Sequence, residues 1–338
     1  MNRIDEPTEV RTGAFQDLTP DKAINLVEAA LGKPCTNICR QLNSYINRVF
    51  EMEAEDGSGL IAKFYRPDRW SKEALQDEHD FLLELTEAEI PVIAPLKLKD
   101  GKTLDSCENM HFAVFPKKGG RTYDEYTDDQ WLELGRLIGR THLVGAKRLP
   151  KDRVTMTPEE FTRLQVNSLL EGNLMQGEFK RPFEEITNSL LAHIEPMFTN
   201  TPLIRIQGDC HFSNIIHRPD ESFYLIDFDD MAVGPPAQDF WMLLPGYKND
   251  SPVEIDIFLE GYETFLDFDR SSLRLIEPLR AMRYIHYTAW CAHQVREDGF
   301  SPVSPDFGTS NYWQQEINDL TEQLERIKST PEHLGNLF

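Results

Sequence analysis

The chain has 338 residues, 40% apolar and 27% charged, enough to bury a substantial core and too apolar for a disordered chain. Its 57 acidic against 35 basic side chains leave a net charge of −22. That argues against nonspecific binding to nucleic acid or to an anionic membrane, both of which need a Lys/Arg surface. The surplus is uneven: residues 1–118 hold 21 acidic and 15 basic side chains, and residues 119–338 hold 36 and 20. No apolar run approaches the roughly 20 residues of a membrane helix, and MNRIDEPTEV at the start lacks the apolar core of a secretion signal. Five irregularly spaced cysteines with no CxxC pair argue against a disulfide framework or a structural zinc site. The expectation is a cytoplasmic protein with reduced thiols.

The first predicted element is a helix from Thr19 to Leu31, with Thr19 as N-cap and Pro20 at its first position. Strand-like runs Ile46–Glu53 and Leu60–Tyr65 follow, joined by the turn-rich EDGSG. Ser71 opens a helix to about Ala88, with Leu75, Phe81, Leu82 and Leu85 near one face. Two hairpin strands are expected around Asp100-Gly101, and HFAVFP at 111–116 reads as a buried strand. Beyond Gly119-Gly120 the pattern turns helical. Thr127-x-x-Gln130 and Thr157-Pro158-Glu159-Glu160 read as capping boxes, and helices are expected over 128–145, 158–170, 182–197, 236–246, 252–266, 272–293 and 311–328. A short β segment interrupts them: LIRIQ (203–207), NIIHR (214–218), a Pro-Asp-Glu-Ser turn and FYLID (223–227). The expected fold is α+β and bilobal: a sheet-rich lobe at 1–118 and a helical lobe at 119–338, with a ligand cleft between them.

The chemistry lies in Gln207-Gly208-Asp209-Cys210-His211-Phe212-Ser213-Asn214 and in Ile226-Asp227-Phe228-Asp229-Asp230. One apolar strand delivers Asp209 into a loop, and a second ends at Asp227. Phosphoryl transfer needs a positioned acceptor hydroxyl and cations to neutralise phosphate charge. A carboxylate near the acceptor, an Asn oxygen and a second carboxylate supply those parts, with the oxygen ligands magnesium prefers. The interval from Asp209 to Asn214 matches the kinase catalytic loop D-x-x-x-x-N.

These two motifs resemble the aminoglycoside phosphotransferase and choline kinase-like superfamily, whose fold is that of protein kinases. Further segments sharpen the resemblance: Leu42-Asn43-Ser44-Tyr45, Asn47-Arg48-Val49, Lys63-Phe64-Tyr65-Arg66-Pro67, Gly234-Pro235, Gln238-Asp239, Trp241-Met242-Leu243-Leu244 and Ile276-Glu277-Pro278-Leu279-Arg280-Ala281-Met282-Arg283. Together they are similar to the stress response kinase A family of bacterial serine/threonine protein kinases, over about residues 15 to 325. The resemblance implies ATP as co-substrate, Mg2+ as cofactor, Asp209 as proton acceptor and Asp227 as second catalytic aspartate. It implies Asn214 and Asp227 as magnesium ligands, Lys63 on the ATP phosphates with Glu78 as its ion-pair partner, and Ser44 on the nucleotide. A protein substrate, a monomeric state and a role in stress response follow from the same resemblance. The chain departs from the family at Gln207, where His is usual. It also lacks a G-x-G-x-x-G near 42–50 and the glycine of D-F-G after Phe228.

Several residues carry plainer readings beside the functional ones. His211 is either a steadying donor in the loop or a core histidine. Asp229 and Asp230 read as solvated or capping carboxylates, with a second metal as the alternative. Asp239 reads as structural support under the catalytic loop, and Cys210 as a small buried hydrophobe. Tyr284, Tyr287 and Trp290, at helical spacing, read as core, and Glu254 to Asp269 as a solvated helix face. Two rival functions remain: a kinase for an amino alcohol or aminoglycoside, and a non-catalytic pseudokinase scaffold. The larger acidic surplus in residues 119–338 points to an acceptor that is cationic near its hydroxyl.

Overall fold

The computed structural model describes residues 14–218 and 221–329. The N-terminal MNRIDEPTEV, and Pro219 and Asp220 of the expected Pro-Asp-Glu-Ser turn, lie outside the described residues.

Helix α1 (Pro20–Leu31) begins where the sequence places it, with the Thr19 hydroxyl accepting from Lys22 N. It leads into a five-stranded antiparallel sheet in the order β1 (Cys35–Leu42), β2 (Arg48–Ala54), β3 (Gly59–Phe64), β5 (Met110–Pro116), β4 (Asp105–Cys107). The alternation of β3 sets the two faces. Leu60, Ala62 and Phe64 pack with Phe50, Met52, Phe112 and the apolar side of α1. Ile61 and Lys63 fall on the opposite face and line the interlobe cleft. Strand β1 was not expected. Its sequence CTNICRQL shows no clean alternation, because it is an edge strand that is mostly exposed and pairs only with β2.

Helix α2 (Lys72–Glu87), capped by the Ser71 hydroxyl, buries Phe81, Leu82 and Leu85 in the core of the second lobe. The hairpin expected at Asp100-Gly101 is only a turn there; the β4–β5 hairpin turns at Glu108-Asn109 instead. Pro91 and Pro95 remove backbone donors from the preceding stretch, which therefore cannot supply a full ladder strand.

The second lobe is helical: α3 (Asp128–Gly145), α4 (Arg163–Glu171) after a π turn, α5 (Gly177–Ile194), α6 (Gln238–Trp241), α7 (Pro252–Tyr262), α8 (Ile276–Asp298) and α9 (Ser310–Ser329). Both elements of the Thr127 capping box form. Gly135 lets α3 approach α7 closely, since a Cβ there would meet the Phe258 carbonyl at 2.0 Å. Helix α6 is far shorter than the expected 236–246, because its run is buried all round and ends at Pro245-Gly246. Between α5 and α6 lie the antiparallel pairs β6 (Ile204–Ile206) with β9 (Ala232–Gly234) and β7 (Ile215–His217) with β8 (Phe223–Leu225). The fold is thus α+β and bilobal. Among the described residues no helix is long and apolar enough to cross a membrane.

Candidate active site

Strand β6 runs into Gln207-Gly208-Asp209 at the bottom of a cleft of about 900 Å³ between the lobes. The backbone turns sharply here. Gly208 has φ +90°, and a Cβ would meet the Asp230 carbonyl at 2.1 Å, so glycine is required for both conformation and space. The turn is held from below by fully buried Asp239 at the start of α6. Its carboxylate accepts from Gln207 N at 2.6 Å and Gly208 N at 2.8 Å, and meets His142 Nε2 at 3.1 Å. Asp239 is the structural support the sequence suggested, and it acts by satisfying backbone donors that a tight turn would otherwise strand.

A short 3₁₀ turn then brings Asn214 back to Asp209. Asn214 Nδ2 donates to the Asp209 carbonyl at 2.9 Å. His211 Nδ1 accepts from Ser213 N at 3.2 Å, and its Nε2 lies 3.4 Å from Asp209 Oδ2. His211 is thus a loop-steadying group, not a core histidine. Cys210 is fully buried, and burial pushes its thiol far up, as expected for a small apolar filler.

Strand β8 leads to Asp227, a non-glycine residue at φ 54°. The Gln207 side chain fixes this conformation, donating to the carbonyls of Ile226 at 3.1 Å and Asp227 at 2.5 Å. It also accepts from Asp209 N at 2.8 Å. One neutral amide therefore offers a donor and an acceptor at the position where the family usually carries His.

Lys63 crosses the cleft from β3. Its Nζ lies 3.0 Å from Asp227 Oδ1 and also pairs with Asp229. Burial works against this ammonium, but Asp227 and Asp229 outweigh it and hold its pKa above the usual lysine range. Asp229 is buried, bound additionally by Asn47 and by Arg69 Nη1 at 3.5 Å. Despite burial, Lys63 and Arg69 keep its carboxyl below the ordinary range. Arg69 Nη2 binds Asp230 at 2.6 Å. Asp229 and Asp230 are therefore members of an ion network, not solvated carboxylates.

The expected Lys63–Glu78 ion pair is corrected by the structure. Glu78 is 1% exposed and its carboxylate is held by Arg153 at 2.6 Å. Arg153 in turn donates to the carbonyls of Ala74 and Asp229. Lys63 is drawn instead to the denser negative charge of the Asp227–Asp229 turn. Glu78 still lines the cleft, and burial together with Asp229 pushes its carboxyl up against the pull of Arg153 and Lys63. Ser44 stands exposed in the β1–β2 turn at the rim of the same cleft, which brings Ser44, Lys63, Glu78, Asp209, Asn214 and Asp227 onto one surface.

Tyr287 and Trp290 of α8 line the cleft, with Tyr45 packed edge-on against Trp290, so two of the three aromatic residues read as core are wall residues. Asn47, Arg69, Arg153 and Arg283 were given no site role from sequence. Their partners lie far along the chain, and no local spacing announces them.

Residues 38–276 match the phosphotransferase enzyme family. Stress response kinase A of Escherichia coli (strain K12) is 35% identical over 328 residues, covering 96% of this chain and 98% of that protein. The serine/threonine protein kinase RdoA of Salmonella typhimurium is 36% identical over 298 residues, 88% of this chain and 90% of that one. The fold is similar to that of the amicoumacin kinase hAmiN solved with AMP-PNP and Ca2+, at a TM-score of 0.72 and 18% identity, over 92% of this chain and 94% of that one. The chain belongs to the phosphotransferase enzyme family and, within it, to the stress response kinase A family.

Proposed function

We propose that this protein is an ATP- and Mg2+-dependent kinase that transfers the γ-phosphoryl group to serine or threonine hydroxyls of a protein in a bacterial stress response. Residues 1–118 form the nucleotide lobe and 119–338 the acceptor lobe in this reading. The observation that carries it is the convergence of Lys63, Asp227, Asn214 and Asp209 on one cleft floor.

Asp209 accepts or orients the acceptor proton, with its loop clamped by Asp239 and Asn214. Lys63 orients the α/β-phosphates and Ser44 covers them from the rim. The Asn214 and Asp227 oxygens fit magnesium. They are hard oxygen donors on the wall of one open cleft. Magnesium is usually held in such an open shell, by one or two protein oxygens together with substrate phosphates and water. When bound it supplies neutralisation of phosphate charge.

That the Salmonella typhimurium relative is named a serine/threonine protein kinase supports a protein acceptor. A basic acceptor is supported by a cavity of about 600 Å³ beside Arg283, whose lining includes the carboxylates of Asp306 and Asp319. The test incubates the protein with labelled Mg·ATP, a generic basic protein and a panel of amino alcohols. Label on serine or threonine of the protein is expected; label confined to the small molecules would overturn the acceptor assignment.

A further inference from the structure

The segment from Ile276 to Arg283 marks the family resemblance, yet nothing so far gives it a task. Two of its charged side chains face inward. Glu277 accepts from Lys248 N at 3.1 Å and from Gln323 Nε2 at 2.9 Å, and it pairs with Arg280 at 3.2 Å. Arg280 lies over the rings of Trp241 and Tyr247, 4.8 Å from each. Three residues further along α8, Arg283 reaches into the cleft: Nη2 is 2.8 Å from Asp209 Oδ1.

That carboxylate oxygen is shut off from solvent and, among the described residues, has no hydrogen-bond donor, so the Arg283 guanidinium meets it as an ion pair. The loop from Asp209 to Asn214 contains no lysine or arginine of its own. Other cations of the cleft are committed elsewhere: Lys63 to Asp227 and Asp229, Arg69 to Asp229 and Asp230, and Lys118 over the Tyr224 ring. His286, the nearest imidazole on α8, has its pKa lowered to about 4 by burial and by Arg283, so it is neutral near pH 7.

We propose that Arg283 is the positioning residue for Asp209. From α8 it pins Oδ1 and leaves Oδ2 as the oxygen offered to an acceptor hydroxyl. A carboxylate on a loop can turn about its terminal bond; one fixed oxygen fixes the other. Reacting groups misplaced by about 1 Å can lose about 10²-fold in rate, so the orientation has kinetic weight. The inference rests on Asp209 being the proton acceptor, as above.

The test uses the full chain with Mg·ATP and whichever acceptor the wild type labels. Arg283→Gln should lower kcat about 10²-fold while KM for ATP stays within roughly twofold. Arg283→Lys, which keeps a cation but not the planar fork, should recover about tenfold of that loss. In the double variant Asp209→Asn/Arg283→Gln, the second substitution should cost nothing further, because residues acting as one unit are non-additive. Should the Gln variant melt well below the wild type, Arg283→Lys and its double with Asp209→Asn carry the test. Near-wild-type or raised kcat in Arg283→Gln, or losses that multiply in the double variant, would overturn the inference. Full activity in Asp209→Asn would instead overturn the reading on which it rests.

Discussion

Gln207 donates its side-chain amide to the backbone carbonyl of Asp227 at 2.5 Å, tying the loop that carries Asp209 to the turn after β8. The same side chain accepts from Asp209 N, so both aspartates hang on one fully buried amide. Gln207→Leu keeps the volume and removes these bonds. Each stranded buried backbone group costs about 1–3 kcal/mol, so the variant should unfold at clearly lower urea and turn over more slowly. Denaturation and steady-state kinetics on one preparation check both effects. Unchanged stability and rate would show that the link is dispensable.

Asp209→Asn should leave nucleotide binding nearly intact. The Asp209 side chain faces Arg283 and His211, whereas Lys63, Asp227 and Ser44 are the residues the proposed function gives to the nucleotide. A thermal shift with Mg·ATP should therefore persist, since ligand binding to the native state raises apparent stability. Transfer should fall by about 10²–10⁴-fold, the usual contribution of a positioned acid–base group. Phosphosite mass spectrometry against the wild type reads the loss directly.

Glu78→Ala should act chiefly on folding. It removes the carboxylate partner of Arg153, whose side chain is fully buried, and leaving one member of a buried pair uncompensated costs about 3–5 kcal/mol. Urea titration is the measurement. A variant with wild-type stability but much weaker ATP binding would instead restore Glu78 to a direct role beside Lys63.

Glu316 makes stability depend on pH. Burial pushes its carboxyl up to about 7, far above its ordinary value. Between those two values the folded protein keeps a proton that the unfolded chain releases, so stability falls as pH rises through that window. Glu316→Gln should remove this loss. Its melting temperature should exceed that of the wild type at pH 8 and differ little at pH 4.5. A constant difference across both pH values would show that the side chain is not titrating in this way.

Local patterns in the sequence carried much of the site. The alternation of β3 placed Lys63 opposite the core residues Ala62 and Phe64, because a strand side chain has only two faces to choose from. The interval between Asp209 and Asn214 closed through a bond of neighbours, Asn214 to the Asp209 carbonyl. Thr19, Ser71 and Thr127 capped the helices they precede, since a cap bonds to backbone three residues away. Edge strand β1 escaped because solvent on most sides removes the alternation that marks a strand.

The sequence by itself determined the two-lobed α+β class, the strand-loop-strand frame and that Lys63, Asp209, Asn214 and Asp227 should meet. Only the tertiary structure decided which charges meet. Glu78 takes Arg153 and not Lys63, Asp229 is buried among cations, and Arg283 reaches Asp209 across the chain. The physical reason is one of range. Caps and alternation are written within a few residues, whereas an ion pair between long side chains depends on where separate elements pack. It depends also on how much water they exclude, and neither quantity has a period in the sequence.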